Sequence, residues 1–511
     1  MRHYIFLILT GTLFAALAVL FLFFPRPTFS DLERRELKTP PEFSFGALFS
    51  GEYTAEVSSW FSDSQPYRDD FMTLSMAIKK QMGLLRGRKG EEFVFHQTGD
   101  IAAAMIPGEL DETEKQAAGE LENVKAELPG DAAGVADNED SRMSQSGILI
   151  VGSGDNVRAL MGFYGSAKAA NPYIVTANAY GRALGAHGIK VYSMVVPIAM
   201  EFYCPEEARA RKGLYVPQLP VINHIYAGLE GVKGVNVYNT LAEHAGEDIY
   251  LRTDHHWAPL GAYYAARKFA ETAGVHVPVL SEFNRKVIHR FVGTMYGFSK
   301  DITVKNAPED FVYYTPQDGT YSTTFRIVNL DSDFKITGES KPFKASYFKK
   351  FKDGSSNAYL TFMGSDYVIV KVKGCGANGR RLAVLKDSYG NALPGYLFGS
   401  FDEVHVLDFR YFPHNIVDYC RRNGITDFLI VNNIFNACSS GVAAKQKALL
   451  TRKSISGGTP HEDTAAKGEG IVKEKTVAER DSAAGNVPSV PEKPAAAEAP
   501  VMIAPESDSL R

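Results

Sequence analysis

Leu251-Arg252-Thr253-Asp254-His255-His256-Trp257-Ala258-Pro259-Leu260-Gly261 is the stretch that decides how this chain folds. Its centre sets a carboxylate and two imidazoles beside one of only two tryptophans in the sequence. Asp248 to Arg252, just before it, carries β-forming residues. Ala258 to Gly274, just after it, reads as a helix, with Pro259 where a first helical residue is tolerated and Gly274 where a helix stops. The pattern predicts a strand, a reactive turn and a helix. Polar side chains at the carboxyl end of a strand are where α/β folds place their chemistry.

Outward from this point the chain alternates apolar runs with helical patterns. Glu92 to Phe95, Gly147 to Val151, Lys190 to Pro197, Val235 to Tyr238, Arg381 to Leu385, Glu403 to Leu407 and Asp427 to Val431 read as strands. Most are near-continuous in apolar residues, as expected of a sheet covered on both faces. Helices are predicted near Tyr173 to Ala186, Val221 to Leu229 and Pro413 to Arg422. Between residues 283 and 373 the pattern changes to short β-type runs such as Phe311 to Tyr314, Thr323 to Val328 and Tyr367 to Val370. The expectation is an α/β domain in two parts, 147–282 and 374–450, separated by a β-rich insertion at 283–373.

Both ends differ from this body. Tyr4 to Phe24 holds no charged residue, about the length that spans a bilayer as one helix. Pro25-Arg26-Pro27 stops it, and no small-residue cleavage site follows, so residues 1–27 read as a retained transmembrane signal anchor. A short leading tail before a long body favours export, while Arg26, Arg34, Arg35 and Lys38 against Arg2 count the other way. Residues 28–106 read as a linker and helices leading into the domain, with Tyr53 to Leu84 divided at Gln65-Pro66. Residues 107–146 are acidic, alanine-rich and almost without aromatics, which predicts a disordered insertion or a loose helix. Residues 451–511 read as a disordered tail.

Composition removes some functions. A net charge of −4 with 22% charged residues gives no electrostatic basis for nucleic acid. Aromatics at 12% suit either a β-rich core or a carbohydrate-facing surface. Cys204, Cys375, Cys420 and Cys438 show no CxxC or CxxxC spacing, so neither a zinc ribbon nor a redox pair is indicated.

Reactive groups collect at three predicted strand ends: Asp254 and His256, then Ser388, then Asn432 and Asn433. Lys386-Asp387-Ser388-Tyr389-Gly390-Asn391 follows an apolar strand and opens a short helix, whose N–H groups are suited to an oxyanion. A hydroxyl nucleophile needs a base, and the base an orienting partner. Across a D-x-H turn, Asp254 is placed to take the His256 Nδ1 proton and free Nε2. Gly390, without a Cβ, leaves room for substrate, and Asn432 or Asn433 offers a side-chain donor. Singly, each feature has a bland reading: a helix cap for Ser388, a surface turn for Asp-x-His. Their coincidence at successive strand ends favours catalysis.

Thr253-Asp254-His255-His256-Trp257, continued by Leu260-Gly261-Ala262-Tyr263-Tyr264, resembles the signature of the bacterial DHHW protein family. Ser50-Gly51-Glu52-Tyr53, Tyr67-Arg68-Asp69, Val195-Val196-Pro197 and Lys386-Asp387-Ser388-Tyr389 also resemble that family. It is similar in turn to the alginate O-acetylation proteins, whose domain is SGNH-hydrolase-like. The resemblance implies a flavodoxin-like three-layer fold in circularly permuted order, since Asp-x-His here precedes the serine. It implies Ser388 as nucleophile, His256 as base and Asp254 as its orienter. It places Arg410 where relatives keep a basic active-site residue; Tyr389, Gly390, Asn432 and Asn433 join it as the candidate substrate or oxyanion residues from their strand-end positions. It further implies a bacterial membrane protein with its body periplasmic or extracellular. A cell-surface polysaccharide would be its substrate, a multispanning membrane O-acyltransferase a partner, and no cofactor is expected.

Three functions stay open at this point: an O-acetyltransferase or acetylesterase, a non-catalytic scaffold in polysaccharide assembly, and a metal site at Asp254, His255 and His256. The last is disfavoured, because adjacent side chains of an extended strand point to opposite faces.

Overall fold

A computed structural model describes residues 2–30, 35–81, 93–97, 109–124, 147–211, 213–317, 320–331 and 333–453. Helices α1 (Arg2–Phe23), α2 (Glu52–Asp63) and α3 (Arg68–Gln81) lead in, the last two divided at Gln65-Pro66 as the sequence predicts. Among the described residues no helix is long and apolar enough to cross a membrane. The transmembrane anchor expected over residues 1–27 is not supported by these helices.

β1 (Phe93–Gln97), β2 (Gly147–Val151) and β3 (Arg158–Met161) form an antiparallel sheet. Between β1 and β2 lies α4 (Glu112–Val124), within the stretch read as a disordered insertion or a loose helix. Asp111 and Glu114 cap it reciprocally, each side chain accepting from the other's backbone N–H at 2.8 and 3.0 Å. Glu114 then bonds Lys445 at 3.1 Å and Arg452 at 2.8 Å. Leu121 is buried against Ala443, Ala444 and Ala448. A helix too polar to fold alone is held by a surface that answers its charge. Residues 107–108 and 125–146, like residues 454–511, lie outside the described residues.

The body continues through α5 (Ala167–Gly185), β4 (Lys190–Val196), α6 (Leu219–Ala227), β5 (Lys233–Gly234) and α7 (Pro259–Ala273). Next come β6 (Asn284–Phe291), α8 (Thr294–Ser299), β7 (Glu309–Thr315), β8 (Ser322–Leu330), β9 (Ile336–Glu339) and β10 (Val368–Lys373). β11 (Arg381–Lys386), β12 (Glu403–Asp408), α9 (Ile416–Arg422), β13 (Asp427–Asn433) and α10 (Ser440–Ala448) complete it. A nine-stranded sheet runs in the order β9-β8-β10-β12-β11-β13-β4-β5, with Phe343–Lys344 paired beside β8. From β12 to β5 the pairing is parallel; β10, β8 and β9 extend it antiparallel.

Layering follows from the alternation of side chains along β4. Tyr192 packs edge-on to Phe269 of α7, with ring centroids 5.3 Å apart. Its neighbour Ser193 bonds Tyr173 of α5 at 2.6 Å on the opposite face. Phe428 of β13 stacks on Tyr180, also of α5. Helices thus cover both faces, and the strands are buried almost throughout, as their apolar runs predict.

Within the β-rich stretch 283–373, β8, β9 and β10 extend the main sheet through β12, and β6 and β7 form an antiparallel pair. Two expectations are corrected. Asp248 to Arg252 is not a strand of the sheet, and Val235 to Tyr238 adds only the bond from Val235 N to Ser193 O beyond the two-residue β5. Tyr250 instead bridges back to Trp257, with Leu251 N on His256 O at 3.3 Å and Ala258 N on Ile249 O at 2.9 Å. The quoted stretch is therefore a self-closed loop. Further bonds to its backbone come from side chains and from single N–H groups of other segments, not from a strand ladder.

Candidate active site

Three distant segments build this loop into place. Ala159 N of β3 donates to Arg252 O at 2.9 Å, and Arg158 donates to Tyr250 O at 3.1 Å. The Glu309 carboxylate, from the start of β7, accepts from Arg252 N (2.8 Å), Thr253 N (2.7 Å) and Thr253 Oγ1 (2.6 Å). Gly293 N bonds Thr253 Oγ1 at 3.0 Å, and Met295 N bonds Thr253 O at 3.0 Å. Burial pushes Glu309 above the usual carboxylate range, although these donors oppose the shift.

Within the loop, Asp254 Oδ1 accepts from His256 Nδ1 at 2.6 Å and from His256 N at 3.1 Å. His256 Nε2 lies 2.8 Å from Ser388 Oγ. Asp254 and His256 are 2% and 6% exposed, whereas Ser388 is half-buried, so the serine is the open end of the line. Burial by itself opposes ionisation of Asp254. The adjacent His256 and His255, with bonds from His256 and Thr294, outweigh it and hold the carboxyl well below its usual range. The His256 ring is clamped between Tyr359, stacked at 3.8 Å and 9°, and His255 at 3.7 Å. Tyr359 OH in turn donates toward Ser388 O and Tyr389 O at 3.1 and 3.2 Å.

Ser388 follows β11, as predicted, but opens a 3₁₀ turn (Ser388–Asn391) and not an α-helix. Tyr389 N donates to Asp387 Oδ1 at 2.9 Å and Gly390 N to Asp387 O at 3.0 Å, so both N–H groups are already used. Tyr389 is fully buried, its OH on His255 O and its carbonyl on Trp257 Nε1 at 2.8 Å. It ties the serine turn to the histidine loop. Gly390 is glycine for a different reason from the one expected: a Cβ there would sit 2.4 Å from Lys386 Cβ. Asn432 exchanges bonds with Gln446 of α10 at 2.9 and 3.3 Å, and Asn433 caps the next turn through Asn436 N at 3.0 Å. The Asn432 side chain is thus engaged with α10, and the Asn433 oxygen with the turn that follows it. Residue alternation explains Asn432, which lies on the same face of β13 as Phe428, the face that α5 covers.

Arg410 belongs to a buried charge cluster. It bonds Asp408 at 2.8 and 2.7 Å and Asp366 at 3.1 Å, while Lys386 Nζ reaches Asp408 at 2.6 Å and Asp366 at 3.3 Å. Burial opposes the charge on Asp366, yet Arg410 and Lys386 hold its carboxyl below the usual range, with a smaller contribution from His256. Burial pushes Asp387 upward, against the bonds it accepts from Asn433, Asn436 and Tyr389 and the charge of Arg410.

The objection to a metal needs correction as well. On a loop, not a strand, both imidazoles fall on one side, and Asp254, His255 and His256 bring a ligand atom each within 4.8 Å of one another. Those atoms are engaged with protein partners: Asp254 with His256, His256 with Ser388, and His255 Nδ1 with Thr294 at 2.7 Å.

Thr294, Glu309, Tyr359 and Asp366 all come from the region read as an ancillary insertion. No spacing marks them, since each meets its partner only through the tertiary fold. Gly293 is the most constrained of this group: a Cβ would lie 2.4 Å from Asp254 Cβ and 2.5 Å from its Oδ2. Gly293→Ala should displace Asp254 and cut serine reactivity by roughly 10²-fold, the order expected for a misplacement of about 1 Å. Undiminished sulfonyl fluoride labelling of that variant would refute it.

Acid stability offers a second check. The depressed folded pKa of Asp254 means that its ionised form stabilises the fold above the unfolded value near ~3.9. That contribution disappears as pH falls through the folded value. Melting temperature against pH should therefore fall less steeply on the acid side in Asp254→Asn than in wild type; parallel curves would contradict this.

Comparison with known proteins matches the geometry to a family. The DHHW protein family model covers residues 120–407. A DHHW family protein from Eubacterium siraeum is 36% identical, with TM-score 0.52, covering 60% of this chain and 96% of that one. Bacillus cereus PatB1, solved with a sulfonyl adduct, is 18% identical with TM-score 0.46, covering 58% and 97%. The O-acetyltransferase domain of Pseudomonas putida AlgJ is 14% identical with TM-score 0.34, covering 61% and 95%. No curated protein matches. A family match over more than half the chain, together with a 36% identical relative covered almost end to end, makes this chain a member of the DHHW protein family.

Proposed function

We propose that this chain is a serine O-acyltransferase that acetylates a cell-surface polysaccharide outside the cytoplasm, held at the membrane by its uncharged amino-terminal run. The observation that carries the catalytic part is the bonded line from Asp254 through His256 to Ser388. In the proposed cycle Ser388 Oγ attacks the donor's acyl carbonyl while His256 Nε2 takes the hydroxyl proton. Asp254 keeps the other ring nitrogen protonated and stabilises the imidazolium. The proton passes to the departing donor group, leaving an acyl-serine. A sugar hydroxyl then attacks that ester, losing its proton to His256, which returns it to Ser388 as the ester leaves. His256, 6% exposed beside the Tyr359 and His255 rings, is shielded from most bulk water, which favours transfer over hydrolysis.

The substrate class and the export rest on the motif resemblance, and the anchor on the uncharged run Tyr4 to Phe24. Acetyl content of the surface polysaccharide, compared between wild-type cells and cells carrying Ser388→Ala, tests the whole. A fall to background is expected. Unchanged acetylation would reject the transferase and favour a scaffold that keeps the fold without turnover.

A further inference from the structure

Asp254 has a second arm that the Asp-His-Ser line does not use. Its Oδ2 accepts from Thr294 N and from Thr294 Oγ1, each at 2.9 Å. The same Thr294 hydroxyl lies 2.7 Å from His255 Nδ1. A hydroxyl has one proton, and an ionised carboxylate only accepts. The Thr294 proton therefore points to Asp254, and His255 must donate its Nδ1 proton to the oxygen. The loop thus has a defined polarity, from His255 N–H to Thr294 O–H to Asp254, with His256 N–H arriving at the other oxygen.

We propose that Thr294 and His255 are positioning residues of this site, fixing the Asp254 carboxylate in the plane that serves His256. This rests on the serine reading above. It gives the first histidine of the pair a task distinct from the second: His256 meets Ser388, while His255 steers the hydroxyl that steers the carboxylate. The supports of His255 agree with a fixed ring. Its carbonyl takes the Tyr389 hydroxyl, and its imidazole is laid against His256 at 3.7 Å and near Phe298 at 6.0 Å. Removing the hydroxyl would leave Oδ2 with the Thr294 N–H and His255 with a buried donor to satisfy elsewhere.

The test uses the full chain and a sulfonyl fluoride that modifies Ser388 with release of fluoride. Thr294→Val should be labelled about 10- to 100-fold more slowly, and Thr294→Ser should return to within about 3-fold of wild type. The low-field NMR signal of the His256 Nδ1 proton, strong when that bond is short, should broaden or move upfield in Thr294→Val and persist in Thr294→Ser. Equal labelling and an unmoved proton signal in Thr294→Val would overturn the proposal, as would Thr294→Ser behaving like Thr294→Val. Should Thr294→Val fail to fold, His255→Gln and His255→Phe decide: the donor-keeping Gln variant must react faster, and equal rates overturn it. The underlying serine reading fails separately, if wild type is not labelled or if labelling survives Ser388→Ala.

Discussion

Ser388→Ala should lower acyl transfer at least ~10³-fold while leaving the fold intact, the scale seen when a triad nucleophile is deleted. The small structural cost follows from the site. Ser388 Oγ bonds His256 Nε2, and the turn around it is held by other groups: Asp387 on Tyr389 N, Tyr359 on the Ser388 carbonyl, and Trp257 on the Tyr389 carbonyl. Alanine removes the hydroxyl and none of these. Turnover of an acetyl ester and the melting temperature, measured on one preparation, check both halves. Loss of activity together with a collapsed melting temperature would show that the serine is structural.

Asp254→Asn should be nearly as severe, at about 10³- to 10⁴-fold in kcat. The surroundings settle which way the amide must point. Thr294 sends two donors to Oδ2, so the asparagine oxygen belongs there. Its nitrogen then faces His256 N and Nδ1, both donors in wild type. To avoid that clash His256 must carry its proton on Nε2, which turns an N–H toward Ser388 and removes the base. Near-normal kcat in this variant would show that Asp254 does not select the tautomer. An ordinary KM beside a collapsed kcat would separate this from a loss of substrate binding.

How far the sequence could carry these conclusions depends on how local each cause is. Asp-x-His is a two-residue relation, and a short loop brings a carboxylate to the second imidazole along whatever surrounds it. The place of Ser388 was legible because an apolar run leading into Asp387-Ser388 marks a buried strand and the turn after it. Pro259 and Gly274 bounded α7 for equally local reasons, a fixed φ at one end and φ +68° at the other. Asp248 to Arg252 misled because β propensity speaks for a pleated neighbour, and Glu309, supplied from far along the chain, occupies the groups a neighbour would have taken.

The asparagines and Gly390 show the same limit. Their side-chain types suit an oxyanion site, but facing and crowding depend on which helix covers which face of the sheet. Asn432 belongs to α10, and Gly390 yields to Lys386.

By itself, then, the sequence determined the alternation that makes a parallel sheet, the paired Asp254 and His256, and the serine that completes them, because each depends on neighbours in the chain. Only the tertiary structure decided that the histidine loop is no strand, that residues 283–373 supply its clamps, and that Thr294 links His255 to the carboxylate that His256 bonds directly. Those are contacts between segments far apart in sequence, and burial and hydrogen-bond geometry select them only once the chain has closed on itself.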